Sequence, residues 1–182
     1  MKITGELETK EFLEAFKTLD SKISKPVKLL VGGGAAMLLA HHYPLATFDV
    51  DAIPFQTDLQ LGELDNHVKQ VAKENKLPPT WLNPYFANFT YVLPSDYHKR
   101  LIPIFSGKNL QVYGLDKIDL LILKCFAGRE KDVGHAKALV KKLNTHHLDF
   151  VEKHLEQLLK KNIPKSQEAI DFYYDIKDAL GK

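Results

Sequence analysis

Gly32, Gly33 and Gly34 follow the apolar run VKLLV (27–31), and no other stretch restricts the fold of this chain as sharply. Glycine loses more conformational freedom on folding than any other residue, so three in a row mark a place where backbone comes close to something. The next segment, AAMLLAHHY, has helical composition until Pro44 stops it. TFDVDAI (47–53) then forms a second apolar run that carries Asp49 and Asp51. Side chains alternate faces along a strand, which predicts Phe48, Val50 and Ala52 on one face and both aspartates on the other. Two carboxylates side by side repel each other unless a cation lies between them.

Oxygen ligands of this kind suit Mg²⁺, which takes one or two protein carboxylates and completes its shell with water and substrate phosphates. A glycine turn at a helix start leaves backbone N–H groups available to an anion such as phosphate. Together the two features predict a nucleoside triphosphate site, although a glycine cluster alone is equally consistent with close packing. A dinucleotide fingerprint is excluded by Met37 at its third glycine position, and a P-loop by the lack of Gly-Lys-Ser/Thr.

The rest of the chain supplies the frame. Phe12, Ala15, Phe16, Leu19 and Ile23 recur at helical steps and predict an amphipathic helix over 8–23. Leu64, Val68, Val71 and Ala72 do the same for 62–75. KLPPTWLNPY reads as a loop, in which Trp81 and Asn83 form a packing element or a base-stacking one. FTYVLP, RLIPIF and NLQVYG are three short strand candidates, the middle one demoted to an edge by Pro103. After Gly114 the texture turns helical: two helices broken near Gly128 and Arg129, the first capped by Asp116, then helices over 146–162 and 165–180 split by Pro164. Lys124 sits in the apolar run LLILKCFA, where a charge either snorkels outward or aims at an anion. Asp132, at a helix start, complements the dipole there. The adjacent pairs His41–His42 and His146–His147 point in different directions on a helix and do not read as zinc ligands.

The formal net charge of +2 advertises no global field for nucleic acid. One cysteine, Cys125, allows no internal disulfide and fits a reducing cytoplasm. The opening MKITGELETKEF has no signal-peptide run, and no stretch has the length of a membrane span. The expectation is a cytoplasmic protein with no membrane partner.

The stretch VGGGAAMLLAHHYPLATFDVDAI resembles the signature of the DNA polymerase β-like nucleotidyltransferase superfamily: strand, glycine turn, helix, Asp-x-Asp strand. WLNPYF (81–86) and LQVYGLDKIDLLILKCFAGREKDVGHAKAL are similar to a bacterial family of nucleotidyltransferases without assigned function, related to those of abortive-infection and toxin–antitoxin systems. The resemblance implies that Gly32, Gly33 and Gly34 approach the triphosphate, that Asp49 and Asp51 hold Mg²⁺, and that Lys124 projects toward the phosphates. It places Arg129, Lys131 and Asp132 in a shared helical motif, and keeps Thr47 from an Arg-x-Thr-x-Asp pattern in which Leu45 replaces the arginine. Many relatives carry an aspartate where His135 stands, and the superfamily's third carboxylate has no counterpart in the later strand candidates; Asp96 and Asp116 merely flank them.

The expected fold is α/β, α+β by strict layer counting: a nucleotidyltransferase fold with a small mixed sheet flanked by helices over 1–114, and a helical extension over 115–182 packed on it. The implied activity is Mg²⁺-dependent transfer of a nucleoside monophosphate from ATP or another triphosphate to a hydroxyl of RNA, protein or a small molecule. A toxin-like role would bring an antitoxin-like protein partner. Lys141, Lys142, Lys160 and Lys161 would offer RNA positive charge. The alternative is a catalytically degenerate nucleotide-binding or protein-interaction module of the same fold.

Overall fold

The computed structural model describes residues 8–45 and 47–182, so the opening residues read above for a leader lie outside it. Among the described residues seven α-helices and five strands follow one another as α1 (Thr9–Lys22), β1 (Val27–Val31), α2 (Gly33–Leu39), β2 (Val50–Thr57), α3 (Leu61–Glu74), β3 (Leu82–Asn83), β4 (Ile102–Ser106), β5 (Leu110–Gly114), α4 (Lys117–Ala127), α5 (Glu130–Lys142), α6 (Thr145–Lys160) and α7 (Ser166–Asp178), with two 3-10 helices, Tyr85–Val92 and Tyr97–Arg100, between β3 and β4. Two compact units result. One runs to Asn88 and adds Leu101–Leu115; the other joins Phe89–Arg100 to Asp116–Lys182.

The first unit is the α/β part. Its mixed sheet has the order β3-β2-β1-β5-β4, with β1 antiparallel to β2 and parallel to β5. Strand β1 is central, which is why VKLLV is apolar at every position but the half-buried Lys28 and does not alternate. Strand β4, with Pro103, lies at an edge as expected. Helix α1 buries the predicted stripe, and Phe16 meets Trp81 and Phe105 at ring-centroid distances of 5.9 and 6.0 Å. Trp81 is a core residue whose indole N–H donates to the Val68 carbonyl at 3.1 Å. The β4–β5 turn is tied down by Asp20, whose carboxylate accepts the backbone N–H groups of Lys108, Asn109 and Leu110.

Three expectations change here. FTYVLP is not a strand: Tyr85–Val92 is a 3-10 helix. Strand β2 begins at Val50, so Asp49 precedes it, and it runs on through Pro54 to Thr57. Phe48, outside the strand, does not join Val50 and Ala52 in the core and is 55% exposed. The β2 register explains the proline: Pro54 lies opposite Leu29 at a bulge between Lys28 and Leu29, where the ladder is already irregular.

The second unit is helical. Helix α4 is buried from Ile118 to Phe126 and packs against α5, α6 and α7. Asp116 caps it, accepting the Ile118 N–H at 2.9 Å, and Gly128 ends it in the left-handed region at φ +56°. Asn144 caps α6 through the His147 N–H. Tyr173 of α7 is buried and donates its hydroxyl hydrogen to the Leu148 carbonyl at 2.8 Å. Among the described residues no helix is long and apolar enough to cross a membrane.

Candidate functional site

In the first unit the glycine turn and the aspartates meet. The Gly32 N–H donates to the Asp51 carbonyl at 2.8 Å, fastening the end of β1 to the start of β2. The three glycines have different reasons to be glycine. A Cβ on Gly32 would press on the Phe86 ring at 3.1 Å. Gly33 has φ +59°, and a Cβ there would overlap Asp51 Oδ2, so the carboxylate lies directly against the turn. At Gly34 a Cβ would meet Leu45 and Thr47 only at ordinary contact, 3.6 Å. Helix α2 begins its ladder with the Ala36 N–H on the Gly32 carbonyl, which leaves the N–H groups of Gly33, Gly34 and Ala35 outside that ladder.

Asp49 and Asp51 are both half-buried, on either side of the buried Val50. Asp49 Oδ2 accepts from the Asn83 amide at 2.8 Å, and Thr47 Oγ1 donates to the Asp49 carbonyl at 3.1 Å. Asn83 reaches Asp49 because β3 pairs parallel with β2, Leu82 opposite Val50 and Asn83 opposite Asp51. Its role was not visible in the sequence, where Asn83 sits in a proline-rich loop; the signal was the short apolar Trp-Leu step before it, enough for a two-residue strand. An amide orients a carboxylate without cancelling its charge. Two carboxylates, with water and phosphate to complete the shell, are a donor set that could hold Mg²⁺, and no third carboxylate, histidine or cysteine joins them among the described residues. Phe48, the residue before Asp49, presents a large exposed ring.

Lys124, Arg129, Lys131 and Asp132 lie in the second unit. Lys124 does not snorkel: it is 4% exposed, and its Nζ donates to Asp132 Oδ1 at 2.6 Å. Asp132 is fully buried and also accepts from Arg129, Nε at 2.7 Å and NH2 at 3.3 Å. Burial works against the Asp132 carboxylate, yet the hydrogen bonds from Arg129 and Lys124 outweigh it and hold its pKa below the usual range. Burial lowers the Lys124 ammonium's pKa, partly opposed by Asp132. Lys131 is exposed. Among the described residues the His135 Nδ1 is buried without a hydrogen-bond partner, 4.0 Å from Asp132, and burial lowers its pKa.

A second buried carboxylate escaped the sequence reading. Asp119 takes two bonds from Arg100, Nε at 3.3 Å and NH2 at 2.8 Å, while Arg100 NH1 pairs with Asp96 at 2.9 Å. Asp96 and Asp116, the flanking carboxylates, are thus engaged with Arg100 and with the α4 cap. Of the histidine pairs, His41 bonds the Leu115 carbonyl through Nε2 at 2.8 Å, and His146 lies beside His147 with ring centroids 6.2 Å apart.

No curated protein and no solved structure gives a significant match to this sequence. Residues 10–179, nearly the whole chain, match the family described as nucleotidyltransferase of unknown function (DUF6036), and the chain belongs to that family.

Proposed function

We propose that the chain transfers a nucleoside monophosphate from a nucleoside triphosphate to a hydroxyl acceptor, with Asp49 and Asp51 holding Mg²⁺. The observation that carries this reading is the fit of the Asp51 carboxylate against Gly33, where a side chain on the turn would collide with it. In the reaction the acceptor oxygen gives up its proton to solvent and bonds to the α-phosphorus, the α–β anhydride bond breaks, and pyrophosphate leaves with the bonding electrons. When bound, Mg²⁺ neutralises phosphate charge and eases ionisation of the attacking hydroxyl. Asp49 supplies a negative charge that Asn83 orients through its neutral amide. The N–H groups of Gly33, Gly34 and Ala35 offer donors to phosphate oxygens.

Calorimetric titration of the four ribonucleoside triphosphates, with and without Mg²⁺, tests the reading on wild type and Asp49→Ala/Asp51→Ala. The expected outcome is Mg²⁺-dependent binding of at least one triphosphate that the double variant loses. Failure of every triphosphate to bind the wild type at millimolar concentration ends the transferase reading.

One observation favours a second reading, a nucleotide-binding module without turnover. The residue beside Asp49 on β3 is an amide rather than a carboxylate. Under that reading the same titration shows binding, while no acceptor supports pyrophosphate release.

A further inference from the structure

Helix α6 has one face in the core, through Leu148, Val151, Leu155 and Leu158. An adjoining face, Phe150, Lys153, His154, Gln157 and Lys161, recurs at the same helical steps and lines one wall of a cleft of about 460 Å³. The stretch from Tyr91 to Asp96 forms the opposite wall. Two large aromatic side chains are left in solvent there: Tyr91 is 55% and Phe150 36% exposed. The Phe150 and His154 rings are parallel within 4°, their centroids 6.4 Å apart.

The charges of the cleft are unevenly matched. Its acidic residue, Asp96, is paired with Arg100, whose guanidinium also lies 5.5 Å from the Phe150 centroid. Lys153 and Lys161 are exposed and make no ion pair among the described residues, so the cleft keeps unbalanced positive charge. His154 adds no positive charge: burial lowers its pKa, and its Nε2–H donates to the Val92 carbonyl at 2.8 Å, which leaves Nδ1 as an acceptor.

We propose that this cleft binds an unpaired nucleic-acid strand, one base lying against Tyr91 and the Phe150–His154 pair and the neighbouring phosphates at Lys153 and Lys161. The volume falls in the range of pockets that take a ligand of nucleotide size. Aromatic rings beside mobile cations are the combination that holds single strands, because an unpaired base offers its flat face and a paired one does not. Lysine serves such a site as a point charge on a flexible stem that follows the phosphate. In naming the acceptor class of the transfer reaction the inference rests on the transferase reading; the binding itself does not.

Fluorescence anisotropy of labelled oligonucleotides of about 12 nucleotides, with the full chain and without triphosphate or Mg²⁺, tests it. Single-stranded RNA, single-stranded DNA and duplex of the same sequence form the arms. A single strand binds more tightly than duplex, and the RNA-to-DNA ratio identifies the source of the strand. Tyr91→Ala weakens binding by about 5- to 150-fold, the range for loss of one stacked base. Lys153→Gln/Lys161→Gln weakens it and flattens the slope of log affinity against log salt by about 1.4, two phosphate contacts' worth for a single strand. Lys10→Gln/Lys25→Gln, which removes the same charge elsewhere, leaves affinity at the wild-type level. Circular dichroism and thermal unfolding establish that each variant is folded.

Three results overturn the proposal: no binding by the wild type at about 100 µM in low salt, equal binding of duplex, or wild-type affinity in the folded Tyr91 and lysine variants. The wild type itself separates the two readings: strand binding by a wild-type chain that binds no triphosphate would sink the transferase reading and leave the cleft standing.

Discussion

Asp132 and Asp49 are carboxylates answered in opposite ways. Asp132, fully buried, is met by two cations of its own chain, Lys124 at 2.6 Å and Arg129 at 2.7 Å. Asp49, half-buried, is met by the Asn83 amide at 2.8 Å, which has no charge to give. A carboxylate removed from water needs an opposite charge close by, or it does not stay ionised. One that keeps part of its hydration can be held by a neutral donor and retains its charge for a cation from outside. The charge of the partner, more than the presence of one, separates a carboxylate that holds the fold from one that can hold a ligand. Asp119 with Arg100 belongs to the first class.

The largest expected effect comes from breaking the buried pair. Asp132→Ala leaves the Lys124 ammonium without its closest counter-charge and destabilises the protein by about 3–5 kcal/mol, read from urea unfolding midpoints. Lys124→Met/Asp132→Leu, which removes both charges and fills the space, recovers most of that loss. A double variant as unstable as the single one would mean that Asp132 acts mainly through Arg129, and the contrast with Asp49 would need redrawing.

Next in size is the turn itself. Gly33→Ala forces a side chain into φ +59° and against Asp51 Oδ2. The expected cost is about 1–3 kcal/mol of stability, with at least a tenfold loss of Mg²⁺-dependent triphosphate binding as Asp51 is displaced. Gly34→Ala, where a Cβ meets its neighbours at 3.6 Å, is close to neutral in both measurements. Equal effects at the two positions would remove the special standing of Gly33.

What the sequence disclosed and what it withheld follow the same physical line. Local signals were readable: the α1 stripe, the Asp116 cap, the Gly128 stop and Pro103 at an edge each depend on neighbours a few residues away. The structure brings the triple glycine and the Asp-x-Asp step together, the Gly32 N–H reaching the Asp51 carbonyl, because the two segments are close in the chain as well as in space. Asn83 on Asp49 spans 34 positions, and Arg100 on Asp119 spans 19, so neither leaves a trace in periodicity. Lys124 was ambiguous for a related reason: the residue type in an apolar run is the same whether it snorkels or meets a buried Asp132. FTYVLP failed because strand composition does not guarantee a partner strand, and Tyr85–Val92 closes its own hydrogen bonds as a 3-10 helix.

A smaller effect is expected at Asn83. Asn83→Ala removes the amide from Asp49 at a stability cost of about 1 kcal/mol, since the half-buried carboxylate can turn to water. Triphosphate binding weakens by a few-fold more than that structural loss explains if the amide positions the carboxylate. Calorimetry on the folded variant, alongside its unfolding midpoint, separates the two contributions.

Asp20 offers the finest cut, because it too is answered by neutral donors but by three of them. Its carboxylate accepts the N–H groups of Lys108 at 3.0 Å and of Asn109 and Leu110 at 2.7 Å. Burial pushes its pKa upward, and those three bonds, with a smaller contribution from the Lys108 charge, outweigh burial and hold the value below the ordinary 3.8. A folded-state pKa lowered in this way means that the unfolded chain binds the proton more readily. The stabilisation is therefore complete above the ordinary aspartate value and fades as pH falls through the lower, folded-state one. Asp20→Asn keeps oxygen and shape but loses the charge, at an expected cost of about 1 kcal/mol near neutral pH. Urea midpoints for the two proteins, measured from pH 7 downward, should converge once wild-type Asp20 takes its proton in the folded state. A gap that stays constant through the acid range would show that the N–H groups recognise the shape of the side chain and not its charge, and neutral donors at Asp49 would then say nothing about whether its charge remains available.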